Sequence, residues 1–397
     1  MGYDVRVIHT SAYYPCFYYW APKWMRNVLE NIEGFTLPDV PINNEGAYEI
    51  DGVKVYRIPM KKNKPHGKFS DKTLSIAFEK CKEYLRCEKF SPDMIVGHWI
   101  NPTAWMLYEF KRFFSCPSTI VIHDFESAFN LYPNAKVLRE SIDIWGFRSQ
   151  IIEKNHEKIN GIPQYSFRCF SGTPSELEEI DNQRQWDNVS KFIFVGQLIK
   201  RKHPEVIVKT LAKVFVDAQY KLTIVGEGAM WNSLQKLTKE TNCKDKVFFT
   251  GRIKRSQIFD HLDKSDVFIM ISEMETFGLV YLEAMSRGCI TVAAKKEGME
   301  GIIIDGYNGF LCEAGNEKEL HEIINKIRHL SPQKLKEISE NGKKTALSLS
   351  DKNVAKDYIE TILCYGEKIK KREISKRLKH NYLEEVLNQY QNSPSIE

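Results

Sequence analysis

The sequence predicts an α/β protein of two doubly wound, Rossmann-like parallel-sheet domains, and three observations carry that expectation. From residue 191 onward, short β-branched and aromatic runs alternate with longer amphipathic ones. The first half repeats the theme less regularly. Between the halves, DNQRQWDNVS (181–190) is poor in aliphatic residues and reads as a linker. Compact apolar strands joined by helices make a parallel sheet buried on both faces, wound by right-handed crossovers. Two such domains hinged at a polar linker put a cleft at the carboxyl ends of their strands, where ligands bind in such folds.

Taken in order, the second half reads KFIFV (191–195), a helix from Pro204 to about Phe215, KLTIV (221–225), a helix near Met230–Thr238 and KVFFT (246–250). A helix near Ser256–Asp263, DVFIMI (266–271), a helix over Leu279–Arg287, CITVAA (289–294) and GFLC (309–312) follow, and 317–349 reads as two polar-faced helices. In the first half DVRVIHT (4–10), KVYRIP (54–59), DMIVGHW (93–99) and STIVIH (118–123) read as strands, with helices over about Ser70–Glu88 and Pro102–Phe114. The expected domains are therefore 1–182, 183–350 and a helical C-terminal segment, 351–397, that packs back on the first domain. Its stretch GEKIKKREISKRLKH (366–380) carries seven Lys/Arg.

Composition narrows the class. The 42% hydrophobic and 27% charged residues of this 397-residue chain support sizeable cores and exclude a disordered or collagen-like protein. No apolar run approaches the roughly 18 residues of a spanning helix, and the start lacks the basic and apolar regions of a signal peptide. Nine scattered cysteines without a C-x-x-C pair argue for a reducing cytosol rather than a disulfide framework or a thiolate zinc site. A net charge of +5 suits an anionic substrate or an anionic membrane surface and does not indicate nucleic acid. The aromatic run YYPCFYYWAPKWMR (13–26), with Lys23 and Arg26 in it, fits a membrane–water interface or a lipid-linked acceptor as well as it fits a packed loop.

Four segments carry chemistry. In SEMETFGLVYLEAMSRG (272–288), Glu275 stands just past a strand, Thr276, Phe277 and Gly278 make a turn, and a helix follows. The N–H groups of Gly278, Leu279 and Val280 open that helix and form an anion site, with Glu283 one turn in and able to accept from ligand hydroxyls. FVGQLIKRKH (194–203) is a strand end, a loop and a helix start with Pro204 near N1, and its Arg201 and Lys202 are cations a departing anion would need. VGEG (225–228) is not a dinucleotide fingerprint, because Trp231 stands where the third glycine belongs. TGRIKR (250–255) ends the next strand. Isolated, each of these has an ordinary structural reading.

Together, ETFGLVYLEAMSRG and EGMEGIIIDGYNGFLCEAGNEKEL (297–320) resemble the family-4 retaining glycosyltransferases of the GT-B fold, over most of 191–330 and more weakly over 1–125. The resemblance implies that Glu275 addresses the donor sugar, that Gly278–Val280 hold the diphosphate and that Glu283 takes the ribose hydroxyls. It also gives Lys202 the leaving diphosphate, with Gly196 and Gln197 beside it; family members carry Arg where this chain has the uncharged Gln197, so Arg201 is expected to supply the missing charge. The backbone near Arg252 and Ile253 would meet the nucleobase. In GHWINPTAW (97–105) and VIHDFE (121–126), His123 matches a histidine that orients the sugar, and His98 a more variable position.

The expectation is thus a cytoplasmic, metal-independent retaining glycosyltransferase, peripherally associated with the inner face of a membrane, with no cofactor beyond its nucleotide-diphosphate sugar donor. Its acceptor would be a glycan or lipid-linked molecule in cell-envelope polysaccharide synthesis. No D-x-D at a strand end and no histidine pair at ligand spacing points to a metal. One feature opposes this reading: GYDVRVI resembles the family's second strand, so its opening strand and glycine-rich loop are expected to be absent, which would leave apolar sheet edges open. The rival is a truncated or non-catalytic nucleotide-sugar-binding GT-B protein. A GT-B phosphorylase or epimerase fits the E-x7-E block less well.

Overall fold

A computed structural model of the chain describes residues 2–15, 19, 41, 43–64, 67–123, 126–174 and 184–391. The aromatic run at 13–26 lies outside them apart from Tyr13, Tyr14, Pro15 and Tyr19. Two compact units are interleaved along the chain: Met1–Gly146 with Pro163–Phe167 and Thr361–Glu397, and Phe147–Ile162 with Arg168–Glu360.

In the first unit, β1 (Arg6–Tyr13), β2 (Gly46–Ile50) and β3 (Val53–Lys61) form a sheet in the order β1-β3-β2. β1 runs parallel to β3, and β2 antiparallel to it through a hairpin at Asp51-Gly52, both with positive φ as such turns demand. Helix α1 (Asp71–Cys87) begins where Ser70 Oγ accepts the Thr73 N–H at 3.1 Å, and buries Leu74, Ala77, Phe78, Cys81 and Leu85 at the three-and-four spacing of one helical face. Next come β4 (Ile95–His98), α2 (Thr103–Phe114), β5 (Ser118–Ile122), α3 (Ala135–Glu140), β6 (Ile144–Phe147), then α4 (Gln150–Asn160), which belongs to the second unit, and β7 (Ser166–Arg168). A second sheet has the order β4-β5-β6-β7.

These sheets are separate, yet α1 packs on β3, α2 on β4, and the two helices on each other, with the Phe78 and Phe110 rings 5.0 Å apart. They therefore share one helical layer. β5 is buried at all five positions, as a strand between two neighbours should be. β1 and β4 each have one paired edge among the described residues, and Val7 and Val96 on them are exposed.

The second unit continues with β8 (Lys191–Val195), α5 (Pro204–Val214), β9 (Lys221–Val225), α6 (Trp231–Glu240), β10 (Val247–Gly251), α7 (Arg255–Asp263), β11 (Val267–Met270), α8 (Leu279–Ser286), β12 (Ile290–Ala294) and β13 (Phe310–Cys312). Then follow α9 (Glu317–His329), α10 (Pro332–Ser348) and α11 (Asp351–Gln391), whose residues from Thr361 onward belong to the first unit. All six strands are parallel, in the order β10-β9-β8-β11-β12-β13. Phe192, Phe194, Phe268, Tyr281 and Phe310 fill the core, and β11 and β12 are buried throughout. The linker is anchored by Arg184, which donates to the carbonyl oxygens of Leu262, Ser265 and Arg287.

Hydrogen exchange should separate the two halves. Amides of β1 and β4 are expected to exchange faster than those of β8 and β11, whose two edges are both paired. Equal protection of all four strands would contradict the divided sheet.

Candidate active site

The six-stranded sheet of the second unit places the site. From β8 the chain moves outward through β9 and β10, then returns to the other side of β8 with β11 and moves outward again. The order reverses between β8 and β11. The loops that follow these two strands turn to opposite sides and leave a crevice at the carboxyl ends, the position where open α/β sheets bind ligands.

The loop after β8 is laced to the end of β9. Gly196 N–H donates to the Val225 carbonyl at 3.0 Å, Leu198 N–H to Glu227 at 2.9 Å, and Met230 N–H returns to Leu198 at 2.9 Å. Gly226, at φ +133°, lies so close that a Cβ would run into the Gly196 carbonyl. The VGEG glycines thus serve loop-on-loop packing at a strand end. Lys200–Lys202 form one 3-10 turn, and His203, with φ +50°, leads into α5 at Pro204. Gln197 and Arg201 are exposed, whereas Lys202 is buried.

Lys202 Nζ meets the Glu275 carboxylate from the loop after β11, with Met270 Sδ at 3.7 Å. Burial pulls the lysine below its ordinary pKa, and the Glu275 charge opposes that pull. The two loops are tied again beside this pair. Glu273 N–H donates to the Arg201 carbonyl at 2.8 Å, Arg201 Nη1 reaches the Glu273 carbonyl at 3.4 Å, and His203 Nε2 lies 3.3 Å from Glu273 Oε1.

Beyond Glu275, Thr276 is half-buried and Phe277 buried, its ring near Phe170 and under the Arg148 guanidinium. Gly278, at φ +79°, opens α8; Tyr281 fits against it and donates to the Met270 carbonyl at 2.6 Å. The N–H groups of Gly278, Leu279 and Val280 have no hydrogen-bond acceptor among the described residues. They are three oriented donors beside a buried ammonium, which is an anion site by construction.

Glu283 is buried one turn further along, and Arg255, the first residue of α7, holds it. Both Arg255 donors, Nη2 and Nε (the latter at 2.8 Å), go to Glu283 Oε1 and leave Oε2 to other donors. Arg255, which closes the TGRIKR segment, is a site residue that no local sequence signal marks. Arg252 in that segment is exposed and Ile253 packs on the core. Lys202, Glu275, Gly278–Val280 and the Glu273 tether are thus brought together at the β8/β11 crevice.

His123 belongs to the first unit. It follows β5, lies 2.9 Å from His98 Nδ1 through Nε2, and stacks on Trp99 at 4.4 Å between ring centroids.

Parallel sheet order, switch point and the free N–H groups at the helix start define a doubly wound unit with a candidate anion site. The chain has the GT-B fold, as its likeness to solved glycosyltransferases shows. It resembles a glycosyltransferase from Rickettsia africae at 15% identity and a TM-score of 0.65 over 92% of this chain and 99% of that one. It resembles Anabaena HepE in complex with UDP and glucose at 19% identity and a TM-score of 0.60 over 78% and 86%. Residues 177–345 match the family described as Glycosyl transferases group 1.

Among curated relatives, the N-acetyl-alpha-D-glucosaminyl L-malate synthase of Bacillus anthracis is 33% identical over 124 residues, 31% of this chain and 32% of the relative. An uncharacterized glycosyltransferase of Methanocaldococcus jannaschii is 22% identical over 362 residues, 87% of this chain and 94% of the relative. The Campylobacter jejuni N-acetylgalactosamine-N,N'-diacetylbacillosaminyl-diphospho-undecaprenol 4-alpha-N-acetylgalactosaminyltransferase is 28% identical over 208 residues, 49% and 55% respectively. The chain thus matches about a third of the first relative's length and about half of the last's. No helix among the described residues is long and apolar enough to cross a membrane.

Gly226→Ala should cost about 1–3 kcal/mol of stability, since it forces a side chain into a strained backbone region as well as into the Gly196 carbonyl. Urea unfolding measures it; an unchanged midpoint would show that the two loops do not need this contact.

Proposed function

We propose that this chain is a retaining glycosyltransferase that takes a nucleotide-diphosphate sugar on its second unit and transfers the sugar to a glycan or lipid-linked acceptor. The observation that carries the reading is the Lys202 ammonium buried against Glu275 beside three outward N–H groups of α8, inside the stretch that matches the family. A diphosphate laid there would be held by Gly278, Leu279 and Val280, with Gly196 and Gln197 lining the opposite loop. Glu275 would leave Lys202 in part for the sugar, and Arg201 would add charge from the exposed side. Glu283 Oε2 would accept a ribose hydroxyl, and the strand end at Arg252 and Ile253 would face the base.

In the step, the bond from the anomeric carbon to the diphosphate oxygen breaks while the bond to the acceptor oxygen forms on the same face. The acceptor proton goes to the departing diphosphate. Negative charge grows on that group as it leaves, so a fixed ammonium and fixed N–H dipoles stabilise the transition state more than the ground state. His123 is assigned the sugar's orientation through the resemblance alone. The C. jejuni relative's name records a polyprenyl-diphosphate-linked substrate, which supports a cell-envelope acceptor here. Work at the inner face of a membrane is the matching location.

The divided first sheet favours a second reading, a nucleotide-sugar binder with little turnover. Both readings predict donor binding, and they part on transfer: release of nucleoside diphosphate only when acceptor is added supports the enzyme.

Lys202→Ala should lower kcat by about 10²–10³, or about 2.7–4 kcal/mol, with a smaller effect on donor affinity. Steady-state kinetics measure it; an unchanged kcat would remove Lys202 from the mechanism. Glu283→Gln should weaken nucleoside diphosphate binding by about 1.5–3 kcal/mol in calorimetry, the range for hydrogen bonds to a charged group. Equal affinity would sink the ribose assignment.

A further inference from the structure

Glu297 stands three residues beyond β12, and neither the sequence pattern nor the proposed mechanism gives it a task. Its Oε2 accepts the Glu275 backbone N–H at 2.8 Å, and the nearby Met274 N–H also favours the charged carboxylate. Met274 has φ +51°, unusual for a side chain of its size, and that side chain is 63% exposed, so packing does not hold the residue in this conformation. The carboxylate does. A non-glycine residue in the left-handed region persists only where its surroundings over-determine it, and here the N–H of the very next residue is held by that acid.

The acid is itself built into place. Glu300 N–H closes a turn onto the Glu297 carbonyl at 2.8 Å, and Glu300 Oε2 accepts the Lys296 N–H at 3.0 Å. The next residue, Gly298, lies against the Phe277 backbone, where a Cβ would come within 2.5 Å of the Phe277 Cα and N. Only glycine allows the two loops this approach, and the approach is what sets the Glu297 carboxylate under the 274–275 peptides. Burial and the neighbouring charges of Glu275 and Glu273 raise the Glu297 pKa, so keeping a carboxylate here is unfavourable in itself. Lys202 is the nearby cation whose field partly offsets this.

We infer that Glu297 is a positioning residue of the donor site: its carboxylate fixes the Met274–Glu275 turn and, through it, the aim of Glu275 at Lys202 and at the sugar. This rests on the proposed transferase reading for its catalytic consequence, though not for the hold on the turn. Glu297 does not touch the donor. A third carboxylate facing a diphosphate would repel it, whereas one spent on backbone N–H groups leaves the cation to the ligand.

The test uses the full chain with Glu297→Ala and Glu297→Gln, read in two ways. The first is amide exchange at Met274 and Glu275 without ligand. Glu297→Ala should accelerate it at least tenfold relative to the rest of the α8 unit, and Glu297→Gln, whose amide oxygen still accepts, should restore most of the protection. Unchanged exchange in the alanine variant overturns the inference whether or not the chain is a transferase. The second is turnover with a nucleotide sugar. Glu297→Ala should lower kcat tenfold or more while donor KM changes less than threefold, with recovery in Glu297→Gln. Accelerated exchange with kcat unchanged would keep the hold and overturn its catalytic role, while equal losses in both variants would point to charge rather than position and overturn the inference. No turnover in the wild type would refute the transferase reading alone, since the exchange result stands apart from it. Should the alanine variant not fold, Glu297→Asp replaces it, with intermediate exchange and turnover expected and wild-type values in both counting against the inference.

Discussion

A buried lysine beside a half-buried acid, at the one place where a parallel sheet reverses its order, is the constraint around which the second unit is arranged. Lys202 gives up most of its hydration, and burial alone would drive it toward the neutral form. Glu275 restores the charge by supplying the counter-ion across the crevice. That contact exists only if the loops after β8 and β11 hold their courses. Much of the surrounding detail serves this end: Gly226 pressed on Gly196, Glu273 tied to the Arg201 backbone, Gly278 left-handed at the helix start, and Glu297 under the preceding turn. A buried ion pair is weak evidence for stability, and its more plausible use is chemical. A ligand anion that takes over the counter-ion's part finds the ammonium already oriented.

The helix start adds what the lysine lacks. Three N–H groups directed out of α8 are dipoles fixed by the backbone, so they need no rearrangement when charge develops. Glu283, one turn on, is held by Arg255 through one oxygen only. The same side chain can be locked in orientation and still offer an acceptor. The proposed contacts to anion, hydroxyl and sugar are thus spaced along a single strand–turn–helix passage.

That passage was the most legible part of the sequence, because its signals are local: β-branched strand, turn, glycine, helix. The strand and helix positions of the second unit followed from the same kind of pattern, and the α/β expectation held in the GT-B fold. Arg255 and Glu297 were not legible, since each reaches the site from another βα unit and its partner is set by tertiary packing. In the first half, β2, β6 and β7 carry no clear strand signal. They are three to five residues long, and β2 is an antiparallel edge strand whose Asp51-Gly52 turn was the available clue.

The central claim is that the β8/β11 crevice receives a diphosphate, and a crystal structure of the chain with bound UDP tests it most directly. The account predicts the β-phosphate within hydrogen-bond distance of Lys202 Nζ and of the N–H groups at the start of α8, with a ribose hydroxyl on Glu283. A diphosphate bound elsewhere, with the Lys202–Glu275 pair undisturbed and the N–H groups of Gly278, Leu279 and Val280 facing only water, would contradict it.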